Sequence, residues 1–272
     1  MTQICDPAAL AQAIPDGAIL AIPADYAGVA RTATLELVRR RPRGLRLVCV
    51  PQSGLQADIL IGAGAVRSIE TSAVTLGEFG LAPRFSAAVR EGTIRILDAT
   101  CPAIHAGLQA SQKGVPFMPL RGILGSDVLA NRPDWKVIDN PFEPGDKIVA
   151  LPAIRPDVAL FHAPLADREG NVFIGRSREL LNMAQASRTS CVTVEAIVEG
   201  NLIEDPARAG AVLPAIYVGH IAIAKRGAAP LALADAYPME GAVLARYADL
   251  ARTVQGFERF LEAWLDGRAL AA

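Results

Sequence analysis

Several features that would identify a specialised class of protein are missing from this chain of 272 residues. Aromatic residues make up only 5% of the chain, so its interior must be built from aliphatic side chains. No run approaches the ~18 apolar residues of a membrane-spanning helix. A net charge of -1 offers no general attraction to nucleic acid or to anionic membranes. The first residues lack the basic and apolar regions of a secretory signal, so we expect a cytoplasmic protein without nucleic-acid or membrane partners.

Cofactor and metal motifs are also missing. The four cysteines show neither CxxC pairs nor metal-ligand spacing, and we expect free thiols in a reducing compartment: Cys5, Cys49, Cys101 and Cys191. The run from Gly62 to Arg67 begins like a dinucleotide-binding fingerprint but lacks the third glycine. It also lies where a helix is predicted to end, which is the wrong place to hold a phosphate. We therefore expect no permanently bound cofactor and no metal.

Short apolar runs alternate with segments of helical periodicity along the chain. With 51% hydrophobic residues, this alternation predicts one continuous α/β domain over residues 1–272, built from parallel βαβ units. Strands are predicted at 18–23, 45–50, 68–74, 93–97, 157–162, 171–175, 190–198 and 215–224. Helices are predicted at 32–41, 57–63, 84–91, 103–113, 178–187, 240–251 and 255–265.

An apolar but irregular segment, residues 114–131, interrupts the alternation. Pro116 and Pro119 exclude a regular helix, while the many apolar side chains require the segment to pack against something. Its far end carries three polar side chains and one glycine: Arg121, Gly125, Ser126 and Asp127. Loops held firmly by a scaffold often bind ligands, although a packed crossover in which Asp127 caps a short helix explains the pattern equally well. Residues 131–145 are predicted to be irregular.

A second candidate lies at the predicted helix that follows Thr100-Cys101-Pro102. Proline suits the first helical turn, so the Cys101 thiol would lie near the positive end of the helix dipole, which lowers a thiol pKa. His105 lies one turn further along, where it makes a poor in-line partner for the thiol. A reactive thiol and a purely structural Cys and His are both open interpretations.

Residues 162–171 are predicted to link two strands through a turn rich in Asp, Gly and Asn. Turn geometry does not account for His162 and Asp167 on the flanks of this link. Glu195 lies inside the apolar run 191–198, where a carboxylate must either face solvent or have a partner that offsets burial. Spacing alone shows no Ser-His-Asp arrangement.

Taken together, these motifs resemble the α subunit of family I coenzyme A transferases, particularly the glutaconate CoA-transferase type. The resemblance covers nearly the whole chain. The stretches that carry it are 57–64 with Arg67, 79–83 with the helix after it, 114–127, 162–171 and the C-terminal helix that begins near Gly256. The runs 114–127 and 162–171 are distinctive individually, and the others only in combination.

This resemblance implies a Rossmann-like, open and mostly parallel sheet of the CoA-transferase and sugar-phosphate isomerase superfamily. It implies a separate, homologous β subunit that carries a nucleophilic glutamate, with acyl-CoA and a carboxylic acid as substrates, so that coenzyme A takes part as a thioester substrate. The candidate catalytic residues are Glu78 and Cys101. The implied cleft residues are Ser53, Gly54, Arg121, Gly125, Ser126 and Asp127.

Two departures from the family pattern bear on the reaction. Residues 22–28 replace a glycine-rich Gly-Gly-Phe segment, and Asp25 and Tyr26 bring charge and bulk there. Relatives often carry a glutamate near the position of Cys101, whereas the acids on offer here are Asp98 and Glu78. Three hypotheses stand: an acyl-CoA transferase subunit, a subunit of a CoA-ester hydrolase that includes ring opening, and a non-catalytic acyl-CoA-binding partner.

Overall fold

The computed structural model describes residues 2–234 and 236–267, which form a ten-stranded sheet and a separate three-stranded sheet. The strands are β1 (Gln3–Cys5), β2 (Ile19–Pro23), β3 (Leu45–Val50), β4 (Val66–Thr71), β5 (Arg95–Asp98), β6 (Phe117–Leu120), β7 (Lys136–Asp139), β8 (Lys147–Pro152), β9 (Val158–Asp167), β10 (Val172–Phe173), β11 (Thr189–Val198), β12 (Val212–Leu213) and β13 (Val218–Ile223). The helices are α1 (Pro7–Gln12), α2 (Arg31–Arg39), α3 (Leu55–Gly62), α4 (Pro83–Glu91), α5 (Cys101–Gln112), α6 (Asp127–Ala130), α7 (Arg178–Ala186), α8 (Gly241–Leu250) and α9 (Val254–Leu265).

The large sheet has the strand order β1-β13-β11-β9-β2-β3-β4-β5, and all neighbours along this path are parallel. Among the described residues of this sheet, the antiparallel pairs are those that the short β10 makes with β9 on one side and with β12 on the other. Parallel strands covered on both faces read as continuous apolar runs, as β2 and β3 do. The prediction of an α/β fold with an open, mostly parallel sheet is confirmed.

Helices cover both faces of the large sheet. One core contains residues of α1 to α4 together with α8 and α9, including the fully buried Tyr247 and Phe260. The other core contains residues of α5 and α7 and of the segment around the three-stranded sheet. The chain therefore follows a doubly wound path of the Rossmann type.

Local sequence signals explain several helix boundaries. Pro83 stands at the start of α4, and Gly92 ends that helix with a left-handed φ of 65°. The Thr100 side chain caps α5 by accepting a hydrogen bond from the Ala103 N–H. Among the described residues, no helix is long and apolar enough to cross a membrane.

Residues 114–152 differ most from the sequence prediction, and we call them the arm. The prediction that 114–131 is an irregular loop is wrong at β6, which pairs with β8 in the antiparallel sense. The expectation of irregular structure over 131–145 is wrong as well, because β7 pairs with the other edge of β8. Pro119 fits because β6 is an edge strand, where a missing N–H is tolerated.

The link predicted at 162–171 is shorter in the structure. Strand β9 continues through Asp167, five residues beyond the predicted end at 162, and pairs with β11 as far as Val198. Asp167 then organises the hairpin to β10, since its carboxylate accepts hydrogen bonds from the N–H groups of Asn171 and Leu202. These hydrogen bonds give Asp167 a structural role in the turn that the sequence did not reveal.

Candidate functional site

The sheet order creates a crevice between β2 and β9. From β2 the chain proceeds outward through β3, β4 and β5, and it later returns to place β9 on the opposite side of β2. In open α/β sheets, ligands bind outside the carboxyl ends of strands where the order reverses in this way. The loops that follow β2, β3, β4 and β5 all lie at this edge, which we call the carboxyl edge.

Residues 24–28 follow β2 at the reversal point. Here Tyr26 is 64% exposed, an unusual position for an aromatic side chain. The Gly28 carbonyl oxygen accepts a 2.7 Å hydrogen bond from the N–H of His162 on β9, so the backbone of this loop lies directly against β9. It has a φ of 89°, and a Cβ atom there would lie 2.2 Å from the His162 carbonyl oxygen. Only glycine permits this close approach.

Asp25 lies in the same segment and is partly exposed. Its carboxylate oxygens lie 3.0 Å and 3.2 Å from the N–H of Leu55, the first residue of α3. Burial raises the pKa of Asp25 to about 7, the N–H groups of Leu55 and Gly54 oppose the increase, and the like charge of Asp58 adds to it. The sequence showed Asp25 only as a departure from a glycine-rich pattern, and it contained no signal of this environment.

Ser53 and Gly54 follow β3 and lead into α3. Ser53 is only 2% exposed, and its hydroxyl has no hydrogen-bond partner among the described residues. A Cβ atom on Gly54 would lie 2.3 Å from Asp25 Oδ2 and 2.3 Å from the Thr75 carbonyl oxygen. Glycine at position 54 therefore allows the loops after β2, β3 and β4 to converge.

Cys101 begins α5 and is exposed. Its thiol donates a 3.2 Å hydrogen bond to Ser72 Oγ, and the Ser72 hydroxyl donates to the Pro51 carbonyl oxygen at 2.8 Å. His105 is half-buried, and burial lowers its pKa. The hydrogen-bond partner of the thiol is thus a hydroxyl rather than a base.

Glu78 lies in a short 3-10 turn, Gly77–Phe79, on the loop after β4, and it is exposed. This loop reaches the carboxyl edge through Thr75, whose N–H donates to the Ser53 carbonyl oxygen. The structure therefore places Glu78, Ser53, Gly54 and Cys101 on loops of one sheet edge.

The other four predicted residues lie on the arm and make contacts within it. Arg121 pairs with Asp146 and is largely exposed. The Ser126 hydroxyl donates to the Ile123 carbonyl oxygen at 2.8 Å, and Gly125 adopts a φ of 74°. Asp127 is exposed at the start of α6, without the capping hydrogen bond that the packed-crossover interpretation required.

One buried arginine fastens the arm to the carboxyl edge. Arg132 is 3% exposed and pairs with Glu70 on β4 at 2.8 Å. It also donates to the Asp98 carbonyl oxygen at the end of β5 and lies 4.2 Å from the centroid of the Trp135 ring. The arm therefore lies against the ends of β4 and β5.

A second polar network, unrecognised in the sequence, lies beside the crevice. Glu195 on β11 accepts hydrogen bonds from His162 Nε2 and Tyr237 Oη, both at 2.9 Å, and from the N–H of Arg226 at 2.9 Å. Burial alone would raise the pKa of Glu195, but these donors bring it down to about 2. The question of how a carboxylate fits into this apolar strand is thereby answered by its partners.

His162 is fully buried, and both ring nitrogens are engaged, since Nδ1 lies 2.8 Å from Thr193 Oγ1. The ring also fills the space beside Gly227, where a Cβ atom would lie 2.5 Å from it. We interpret this network as the support that holds residues 225–228 against the strand ends.

Among the described residues, no group of three or more His, Cys, Asp or Glu side chains is placed to hold a metal ion. The four cysteines are free thiols. The chemistry on offer at the carboxyl edge is therefore that of a carboxyl group, hydroxyls, a thiol and backbone donors.

Comparison with known proteins identifies the family. A model of the coenzyme A transferase family matches residues 7–224. The chain belongs to the coenzyme A transferase family. The resemblance noted in the sequence is confirmed, as is the expectation that the chain is a CoA-transferase-type enzyme subunit.

Relatives within this coenzyme A transferase family carry different names. The chain is 30% identical to the A-subunit of glutaconate CoA-transferase from Acidaminococcus fermentans over 76% of its own length and 70% of that protein. It is 34% identical to the A-subunit of 3-oxoadipate CoA-transferase from Pseudomonas knackmussii, over 68% and 67%. It is 27% identical to the cholesterol ring-cleaving hydrolase IpdA subunit of Rhodococcus jostii, over 81% and 78%.

Solved structures of similar proteins match almost the whole chain. Glutaconate coenzyme A-transferase from Acidaminococcus fermentans superimposes with a TM-score of 0.89 at 25% identity, covering 97% of this chain and 89% of that one. A cysteine-to-serine variant of the decarboxylase AibA/AibB gives a TM-score of 0.85 at 28% identity, covering 97% and 98%. The coenzyme A transferase fold is therefore present nearly from end to end.

Proposed function

We propose that this chain is the α subunit of a two-subunit enzyme, an acyl-CoA:carboxylate CoA-transferase. In this proposal it completes a cleft whose nucleophilic glutamate belongs to a separate, homologous β subunit. The supporting observation is the pairing at the carboxyl edge: the exposed thiol of Cys101 donates to a hydroxyl, not to a base. A nucleophile is normally activated by an adjacent base, so the described edge is suited to binding and orientation rather than to attack.

In the proposed reaction the partner's glutamate attacks the acyl-CoA carbonyl and forms an acyl-glutamyl anhydride. The coenzyme A thiolate released by this attack then attacks the glutamyl carbonyl of the anhydride, so that the donor acid leaves as a carboxylate and a glutamyl-CoA thioester remains. The acceptor carboxylate attacks this thioester, which forms a second anhydride and releases the thiolate again. Attack of the thiolate on the acceptor's acyl carbonyl gives the new acyl-CoA and frees the glutamate. Covalent catalysis of this kind divides one difficult transfer into easier steps. Coenzyme A enters and leaves as a substrate, and no permanently bound cofactor is involved.

The role we propose for this chain is to position the acyl acid and stabilise developing negative charge on oxygen. Ser53 has a buried hydroxyl without a described partner, and Gly54 brings its backbone close to Asp25 and Thr75 at the carboxyl edge. Donors fixed before the reaction are more effective than water at such a position. Two relatives are named as one lettered subunit of a transferase, which supports the existence of a second chain.

Purification of the tagged chain from its host tests this assignment. We expect a homologous partner of about the same size in equal ratio, because the proposed cleft is completed by one copy of each chain. The purified complex should transfer coenzyme A from acetyl-CoA or succinyl-CoA to an added carboxylate. A chain that emerges alone as a stable homo-oligomer would overturn the proposal.

A CoA-ester hydrolase is the second candidate function, favoured by the likeness to the ring-cleaving hydrolase subunit. Both reactions use a thioester-activated carbonyl, so an assay of coenzyme A release by the same purified complex distinguishes them. Release of free coenzyme A without an acceptor carboxylate indicates hydrolysis, whereas release that requires the acceptor indicates transfer. A partner sequence that lacks the active-site glutamate would also favour hydrolysis.

Variants of Glu78 and Cys101 test the opposite case, in which this chain itself supplies a base or a nucleophile. We expect Glu78→Gln and Cys101→Ser each to lower kcat by about 100-fold if the residue transfers a proton or attacks the substrate. Arg90→Gln, an exposed change in the last turn of α4, serves as the control. Unchanged turnover in a variant removes that residue from the mechanism.

A further inference from the structure

Asp25 is a carboxyl group that the proposed reaction does not yet use. It lies directly after β2, at the point where the sheet order reverses, beside the exposed ring of Tyr26. Ligands of doubly wound folds bind at this point. The Asp25 residue is partly exposed at this edge of the sheet, while its carboxylate oxygens lie against the start of α3.

The surroundings of Asp25 form a built site. Both carboxylate oxygens lie within 3.2 Å of the N–H of Leu55, which fixes the orientation of the group. Gly54 leaves the space that Oδ2 occupies, since a Cβ atom there would lie 2.3 Å from that oxygen. Ser53 directly precedes it and contributes a buried hydroxyl that has no partner among the described residues. A second polar group therefore lies on the same loop as Gly54.

Burial and one like charge favour the protonated form of Asp25, while the N–H groups of Leu55 and Gly54 favour the carboxylate. Burial is the main reason that the pKa of Asp25 is raised to about 7, and the like charge of Asp58 on α3 makes a smaller contribution in the same direction. Cys49 on β3 is a neutral thiol whose pKa burial raises to about 12. Tyr247 on α8 is a neutral hydroxyl whose pKa lies well above its ordinary value because of burial. Near neutral pH a substantial fraction of the protein therefore carries Asp25 as the acid.

We propose that Asp25, in its acid form, donates a hydrogen bond to a carboxylate oxygen of the acyl acceptor and holds that acid in the crevice. This proposal rests on the proposed function, because it takes the acceptor to be a carboxylate. No covalent bond forms or breaks in this step: the proton stays between the two oxygens. Two carboxyl groups that share one proton avoid the repulsion that two carboxylates would experience.

Two consequences distinguish this role from a purely structural one. Ionised Asp25 repels the acceptor, so kcat/KM for the acceptor falls with rising pH above about 7, approaching tenfold per pH unit. Binding of a carboxylate above that pH also requires uptake of a proton. A residue that only caps α3 produces neither effect.

The experiment uses the complex of this chain with its partner subunit, and it compares Asp25→Asn with Asp58→Asn. The asparagine amide at position 25 still donates a hydrogen bond but does not titrate, so we expect the fall of kcat/KM above about pH 7 to disappear. Asp25→Ala removes the donor, and we expect kcat/KM for the acceptor to fall by about 10- to 100-fold at neutral pH.

Asp58→Asn is the matched control, since Asp58 is a buried carboxyl group of the same helix region that pairs with Tyr247 instead of the crevice. In Asp58→Asn we expect kcat/KM still to fall with rising pH. The fall should begin at slightly lower pH, because removing the like charge of Asp58 lowers the pKa of Asp25. An unchanged pH profile in Asp25→Asn would overturn the inference and leave the proposed function intact.

A measurement without turnover covers the case in which the complex is inactive. Calorimetric titration of the wild-type complex with succinate, in two buffers of different ionisation enthalpy, measures proton uptake directly. We expect close to one proton per succinate at pH 8 and none with Asp25→Asn. Absence of uptake in the wild type refutes the role of Asp25. Proton uptake in a complex that neither transfers coenzyme A nor hydrolyses acyl-CoA would refute the proposed function and leave the role of Asp25 in binding intact.

Discussion

The network around Glu195 leads to a prediction about stability. Replacing Glu195 with glutamine removes the negative charge and exchanges one acceptor oxygen for an NH2 group. The remaining oxygen can still accept from His162 and Tyr237, but the new NH2 group then faces the N–H of Arg226, where Glu195 accepts at 2.9 Å. Because the glutamine NH2 group and the Arg226 N–H are both donors, the Arg226 N–H loses its hydrogen-bond acceptor.

The magnitude follows from the hydrogen bonds that change. Hydrogen bonds to a charged group contribute about 1.5–3 kcal/mol each, and the side chain of Glu195 is 18% exposed, so water offsets part of the loss. We expect Glu195→Gln to lower the free energy of unfolding by about 2 kcal/mol. For a chain of 272 residues this corresponds to a decrease in Tm of roughly 4 °C.

The pH dependence has a definite sign. The pKa of Glu195 in the folded protein is about 2, below its ordinary value of 4.5, so its contribution to stability is fully present above about pH 5 and is lost as the pH falls toward 2. The difference between wild type and Glu195→Gln should therefore be constant from about pH 5 to 8 and should narrow in acid.

The assay is denaturant unfolding followed by circular dichroism across this pH range. Glu199→Gln is the control, because Glu199 lies just beyond the same strand and forms an exposed pair with Arg168. That exposed pair contributes about 0–1 kcal/mol, so the control variant should lie close to wild type. Equal stability of Glu195→Gln and Glu199→Gln at neutral pH would refute the reasoning.

Two further substitutions test buried groups. Tyr247→Phe removes the hydroxyl that donates to Asp58 at 2.6 Å, so we expect a loss of about 1.5–3 kcal/mol in unfolding free energy. Burial raises the pKa of Asp58 to about 6, so ionisation of this group lowers the stability of the folded protein as the pH rises. The Tyr247 hydroxyl stabilises the ionised form, so the loss caused by Tyr247→Phe should be larger at pH 8 than at pH 4. Equal losses at the two pH values would contradict this interpretation. Arg132→Lys keeps the charge but not the planar guanidinium group that reaches both Glu70 and Asp134. We expect this variant to lower the free energy of unfolding by about 2–3 kcal/mol and to increase the rate of proteolysis in the arm. Protease resistance equal to that of the wild type would show that Arg132 does not fasten the arm.

The part of the fold that is local in sequence was predictable. Buried parallel strands produce apolar runs, and signals such as Pro83 and Gly92 mark where a helix begins and ends. The arm was not predictable, because β6 and β7 depend on pairing with β8, which lies up to 35 residues away in the register Phe117 to Pro152. Strand formation on such short, partly exposed segments is decided by the partner strand rather than by local propensity.

The candidate site was predictable in its location but not in its composition. Residues at the ends of predicted strands, such as Ser53 and Cys101, must meet at one edge of a parallel sheet. The environment of Asp25 depends on Leu55, Gly54 and Thr75, whose approach to position 25 no spacing rule describes. Glu195 was visible as an anomaly, but its donors lie 31 to 42 residues away in the chain.

The fold itself does not determine which reaction the chain supports. Solved structures named as a transferase and a decarboxylase share this architecture with the present chain, and a protein named as a hydrolase subunit is similar to it in sequence. Since the strand order fixes where substrate binds, the side chains that end each strand must determine the chemistry. In this chain those positions carry Asp25 after β2 and Cys101 after β5, with the hydroxyl of Ser72 beside the thiol. In the role we propose for Asp25, binding of the acceptor carboxylate depends on protonation of this group, and substitutions at position 25 should therefore alter selectivity for acids more than substitutions on the arm.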